Sequence, residues 1–137
     1  MTVSCEILVN GPASNGEALV LTAPISFWGG IDPKTARIAD PRHPQHGENI
    51  ARRVLFLPGT IGSSSASAVL LELIRAGLAP AAIVMHEPDA ILLLGLIVAR
   101  EMGWTAPPAL KLHRSVHGGF SGKRLEVSPE GGIQALT

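Results

Sequence analysis

The chain has 137 residues, 46% of them hydrophobic and 16% charged, which is enough apolar material for one packed core and too apolar for a disordered tail. Eleven Lys and Arg balance eleven Asp and Glu, so no basic field argues for nucleic acid or an acidic membrane surface. A lone cysteine, Cys5, excludes an internal disulfide and any cysteine-only metal site built by this chain alone.

Residues 1–137 read as a single domain. Cytoplasmic placement is expected, because the stretch from Met1 to Glu6 lacks the charged and then apolar segments of a secretory leader. The longest apolar run, Ala90 to Ala99, is too short to span a bilayer, and no membrane segment is expected.

Residues 3–9 alternate weakly and predict a first strand. Asn10-Gly11-Pro12 and Asn15-Gly16 break that pattern, and residues 18–21 resume it as a second strand, expected beside the first in one sheet. Directly afterwards, Ser26-Phe27-Trp28-Gly29-Gly30-Ile31-Asp32-Pro33 sets two large aromatics against two glycines. Glycines there let the backbone approach another group closely, while the aromatics alone would make a hydrophobic plug over the sheet end. From Lys34 to Asn49 the chain is polar and turn-rich, which predicts a solvent-exposed, substrate-facing or interface loop. Its histidines, His43 and His46, are three apart, but Pro41 and Pro44 forbid the regular helix that would make them a metal-binding pair.

Val54-Leu55-Phe56-Leu57 reads as a buried strand. It runs into Pro58-Gly59-Thr60-Ile61-Gly62-Ser63-Ser64-Ser65-Ala66-Ser67, a glycine turn and a helix start. The helix places Ala66, Val69, Leu70, Leu73 and Ile74 on one face and stops at Gly77. Residues 80–85 form a continuous apolar run, predicting a strand buried on both faces and parallel to 54–57 across a helical crossover. Asp89 is the expected N-cap of a second helix, Ala90 to Met102, stopped by Gly103. That helix is apolar nearly all round, so it is expected to be buried or to meet a partner. His86 and Glu87 lie just past a strand's carboxyl end, where α/β sheets place ligands, and are secondary site candidates against a plain solvated pair.

After Trp104 and Pro107-Pro108 come a short strand, 109–112, and a glycine-rich flexible loop from His113 to Gly122. A last hairpin pairs 123–127 with 133–136. The fold class is therefore mixed α/β, with a central βαβα segment and flanking β-strands.

The serine turn carries the chemistry. Unpaired N–H groups and the positive dipole end at a helix start bind anions, although serines also serve simply as caps. A phosphate-binding P-loop needs a Lys where Ser63 stands, and a hydrolase elbow needs a second glycine that is missing here. His43, His46, His86, His113 and His117 could each offer a base to a serine hydrolase, a weak reading without the elbow.

Three motifs in order, Phe27-Trp28-Gly29-Gly30-Ile31-Asp32, the loop Asp40-x-x-His43-Pro44-x-His46-Gly47, and Gly62-Ser63-Ser64-Ser65, resemble the swivel domain or small subunit of aconitase X, of the cis-3-hydroxy-L-proline dehydratase type. The resemblance runs from about Leu19 to about Glu126. It implies a swivelling β/β/α fold like the mobile domain of aconitase, and a hydro-lyase whose large, cysteine-containing subunit holds an iron-sulfur cluster. No cofactor and no metal ligand are then expected in this chain. The implied reaction is dehydration of a small hydroxy acid, cis-3-hydroxy-L-proline to pyrroline-2-carboxylate. Mevalonate 5-phosphate dehydration is the alternative, as is a non-catalytic module binding a carboxylate or phosphate.

Aconitases carry Gly-Ser-Ser-Arg-Glu at this turn, against Gly62-Ser63-Ser64-Ser65-Ala66 here. Matching Gly-Ser-Ser makes Ser63 the base, whereas counting forward from strand 54–57 without a gap makes it Ser65. Ser63 is the preferred assignment, with Gly62, Ser64, Ser65, Trp28, Gly29 and Gly30 as substrate-binding candidates. The missing arginine implies that carboxylate binding is shared with the partner or with residues such as Arg42.

Overall fold

The computed structural model describes residues 2–136. In chain order the elements are β1 Thr2–Ser4, β2 Glu6–Val9, β3 Ser14–Val20, the short turn α1 Phe27–Gly30, β4 Val54–Leu57, α2 Ala66–Arg75, β5 Ala82–Met85, α3 Ala90–Glu101, β6 Ala109–Lys111, the one-turn α4 Arg114–His117, β7 Arg124–Val127 and β8 Gly132–Ala135. They build one eight-stranded sheet in the order β1-β8-β7-β3-β4-β5-β6-β2. Strands β3 to β6 run parallel, which makes the expected βαβα centre, and the flanking pairs are antiparallel.

The edge strands β1 and β2 are separated in the chain by Cys5 alone, so the sheet curls until its two edges nearly meet. This corrects the single strand expected over 3–9. Cys5 donates its N–H to Gly131 O (2.9 Å) instead of continuing a ladder, and the strands on either side pair with β8 and β6. Neither lies beside β3, so the expected pairing of the first two strands is also overturned. Asn15-Gly16, read as a break, lie inside β3 opposite Glu126 and Leu125. A Cβ at Gly16 would stand 2.5 Å from Arg52 O, so this glycine serves a close backbone approach and not a turn.

Both central strands are buried at every position because each faces a core on both sides. Leu55, Leu57, Ile83 and Met85 point to the core under α2 and α3, while Val54, Phe56, Ala82 and Val84 point to a second core with Phe120, Leu125, Val127 and Ile133. Helix α2 buries the five apolar residues that its spacing predicts and stops at Gly77, whose φ is +74°. Helix α3 buries Leu92, Leu96 and Ala99, while Leu94 and Ile97 stay 54% and 47% exposed, so only one side of this apolar helix is covered. Among the described residues no helix is long and apolar enough to cross a membrane.

The segment expected as a flexible loop, His113 to Gly122, is instead folded: α4 runs into a 3₁₀ turn, Gly118–Phe120, that seats Phe120 wholly inside the second core. His117 is buried with it. Its Nε2–H donates to Leu112 O (2.8 Å), and its Nδ1 is buried with no partner among the described residues. Burial holds the His117 pKa below its ordinary value; the Leu112 bond opposes this, and nearby His86 and His113 reinforce it. The unfolded chain therefore takes this proton more readily than the folded one. Stability from neutral His117 is complete above about pH 6.5 and declines as the pH falls below it. Urea midpoints are expected to drop between pH 7.5 and 5.5, and His117→Leu should flatten that slope; an unchanged slope in the variant would assign it elsewhere.

Candidate active site at the carboxyl edge of the sheet

Past the end of β4 the chain bends at Pro58, and Thr60 lies in a parallel bridge beside Ile25, with Ile61 N–H donating to Ile25 O (3.0 Å). Since Ile25 immediately precedes Ser26-Phe27-Trp28-Gly29-Gly30, this pairing sets the aromatic-glycine segment next to the serine turn. Gly30 makes the fold-back possible, because a Cβ there would stand 2.9 Å from Ile25 Cγ1. Gly29 has φ +80°, a conformation that side chains resist. The two aromatics divide the roles weighed for them: Phe27 is a buried plug, and Trp28 is 61% exposed.

Trp28, Gly29, Gly30, Asp40, Arg42 and Ile61 line a 560 Å³ hollow. The structure thus brings three of the substrate-binding candidates, Trp28, Gly29 and Gly30, together with Arg42, whose guanidinium lies 3.6 Å from Asp40. The Arg42 amide donates to Asp40 Oδ1 (2.9 Å) and, with the guanidinium charge, holds that carboxyl below its usual range. Ser26 also lines the hollow, but Ser63, Ser64 and Ser65 do not; they follow Ile61 and lead into α2.

Within the turn, Ser63 Oγ accepts the Ser65 N–H (3.2 Å), while Ser63 O accepts from Ala66 N and Ser65 O from Ala68 N. Ser65 stands at the N-cap of α2 with a helical backbone, and its side chain caps nothing. Ser63 instead makes the cap-like bond at the entry to α2. Among the described residues, the amides of Gly62, Ser63, Ser64 and Ser67 find no acceptor, so several donors at the positive end of α2 remain free. A Cβ at Gly62 would meet nothing within 4 Å, so nothing inside this chain requires a glycine there.

Sequence reasoning missed Thr60. Its Oγ1 donates to Asp89 Oδ2 (2.7 Å), while Asp89 Oδ1 caps α3 by accepting from Ile91 and Leu92 amides. Asp89 was legible as a cap from its place before an apolar run, but a contact between such distant residues leaves no local signal.

The remaining candidates are either held within the fold or face solvent. His43, expected in a solvated or substrate-facing loop, is buried: its Nε2–H donates to Ala23 O (3.0 Å) and its Nδ1 accepts from Gln45 N (3.0 Å). The Gln45 side chain in turn bonds Val20 O and Thr22 N, so the loop is pinned to the end of β3, and His46 faces solvent. His86 Nδ1 accepts from Arg114 N (3.0 Å), its ring meets that of His113 edge-on, and Glu87 is exposed. Among the described residues no cluster of His, Cys, Asp and Glu has the arrangement to hold a metal ion. Burial raises the Cys5 thiol to about 11, far from the thiolate that a metal requires. A larger cleft, 670 Å³, lies at the amino ends of the parallel strands between Arg52, Ala81 and Pro108, the opposite edge from the serine turn.

The sequence model of the family described as Aconitase X swivel domain matches residues 2–134. The chain is 53% identical over 95 residues to a Pseudomonas aeruginosa protein named Cis-3-hydroxy-L-proline dehydratase, a match covering 69% of this chain and 16% of that protein. It is 40% identical over 99 residues to the Phosphomevalonate dehydratase small subunit of Methanothermobacter thermautotrophicus, covering 72% of this chain and 75% of the other. The chain therefore spans about a sixth of the bacterial relative's length and three quarters of the archaeal one's. A chain in the crystal structure of Thermococcus kodakaraensis aconitase X (holo-form) superposes with a TM-score of 0.86 at 28% identity, covering 100% of this chain and 99% of that one.

Proposed function

The chain belongs to the aconitase X swivel domain family, and from that membership we propose that it is the small subunit of a hydro-lyase, active only with a larger subunit and contributing the base. The observation that carries this reading is the Ser63 oxygen, which accepts the Ser65 N–H at the start of α2 beside the amides of Gly62, Ser64 and Ser67, which find no acceptor among the described residues. A free serine hydroxyl is a poor base. An N–H donor and the positive helix end, about half a unit charge, favour the alkoxide that removes a proton beside a substrate carboxylate. The carboxylate itself is a ligand for the unpaired amides of Gly62, Ser64 and Ser67. Trp28 with Gly29 and Gly30 forms the wall beside them, and Arg42 is the cation of this chain that the hollow offers.

The side chains described above do not fit an iron-sulfur cluster, so the departing hydroxyl is left to the partner, where a cysteine-held cluster would supply Lewis-acid chemistry. For the substrate, the 53% identity to a protein named for cis-3-hydroxy-L-proline dehydration supports that hydroxy acid. Mevalonate 5-phosphate is the second reading, supported by a match over three quarters of an archaeal small subunit.

The test is reconstitution with the cysteine-bearing larger chain from the same cells. Neither chain alone should turn over substrate, and the pair should convert cis-3-hydroxy-L-proline with kcat/KM at least about tenfold above that for mevalonate 5-phosphate. Turnover by this chain alone sinks the proposal, and preference for the phosphorylated substrate selects the second reading.

A further inference from the structure

Both ends of the serine turn are referenced to one element. At its entry, Thr60 Oγ1 donates to Asp89, the residue that caps α3. At its exit, Gly95 in the second turn of α3 lies so close to Ser67 that a Cβ there would stand 3.2 Å from Ser67 Cβ and 3.4 Å from Ser67 Cα. Between these two fixings, among the described residues, the amides of residues 62–64 find no acceptor, and the Ser65 amide bonds Ser63 Oγ. Two short-range bonds, Ser65 N–H to Ser63 Oγ and Ala66 N–H to Ser63 O, shape the turn internally, and its position is taken from its ends.

We infer that α3 is the jig for the serine turn and that Thr60 is a positioning residue, acting on the Ser63 oxygen through its hydrogen bond to Asp89. The Asp89 carboxylate divides its oxygens, one to the amides of its own helix and one to Thr60, so any shift of the α3 N-terminus is passed to residue 60. From the other side the Ile25 bridge holds the backbone of Thr60 and, through the Ile61 N–H to Ile25 O, that of Ile61, and it ends before the serines. This inference rests on Ser63 as the base only for its catalytic consequence; the mechanical part stands on the chain itself.

The experiment compares Thr60→Val, which keeps the shape and removes the hydroxyl, with Thr60→Ser, which keeps the hydroxyl. In the full chain, ¹⁵N order parameters at Gly62 to Ser65 are expected to fall from about 0.85 to below about 0.6 in T60V and to remain near the parent's in T60S. In the reconstituted enzyme T60V should lower kcat by about 10²-fold with KM within about twofold, and T60S should restore it. Unchanged order parameters in T60V, or equal loosening in T60S, overturn the inference. If the order parameters respond as expected but the parent pair turns over no hydroxy acid, the positioning device stands and the proposed function falls.

Discussion

Replacing Ser63 by alanine is expected to lower kcat of the reconstituted enzyme by about 10³-fold, within the 10²- to 10⁴-fold span of a lost general base, while KM and the chain's unfolding midpoint change little. Ser65→Ala should cost at least about tenfold less. The two serines compete for the role because one alignment of the turn favours each, and the local hydrogen bonding separates them. Ser63 Oγ receives an N–H and can carry negative charge; the Ser65 side chain receives none from the helix it precedes. Ser65→Ala leaves the amide that serves Ser63 in place, which is why its effect is the smaller one. Steady-state rates of both variants, measured beside circular dichroism melts, check this directly. A thousandfold loss in S65A with near-parental S63A would move the base to Ser65.

The parts of the fold legible in the sequence are those whose signal is local. Residues 54–57 and 80–85 read as buried strands because a strand facing two cores is apolar at every position, and both cores are present, with the second strand formed over Ala82–Met85. Gly77 and Gly103 read as helix stops because each takes a positive φ, at +74° and +78°. The split at Cys5 was not legible, since alternation says which residues share a face and nothing about which strand they pair with. Nor was the burial of His43, which depends on hydrogen bonds reaching back to Ala23 and, through Gln45, to Val20. In the site, the glycine-serine and tryptophan-glycine motifs marked the right edge of the sheet. The Ile25 bridge that sets them side by side and the Thr60–Asp89 bond join segments far apart in sequence. The glycines from 118 to 122 suggested freedom, yet neither Gly118 nor Gly119 takes a positive φ and the chain there is coiled around a buried aromatic.

That aromatic carries the second large effect. Phe120→Ala is expected to destabilise the chain by about 3–5 kcal/mol, the usual cost of emptying a fully buried phenylalanine site. For a chain of this length that lowers the melting temperature by on the order of 10 °C or more. Phe120 is 0% exposed and stacks on Phe56 with ring centroids 5.5 Å apart, and Phe56 also meets the His117 ring at 5.3 Å. Removing the Phe120 ring leaves a cavity against β4, a rigid central strand that cannot collapse into it. A truly flexible loop would tolerate the same change within about 0.5 kcal/mol, so the melt decides between the two descriptions of this segment. Phe120 lies in the core on the face of the sheet away from α2 and α3, whereas the serine turn leads into α2 on the other face. Well below its melting temperature, the variant paired with the larger subunit should therefore keep a kcat within about threefold of the parent's, separating loss of fold from loss of chemistry.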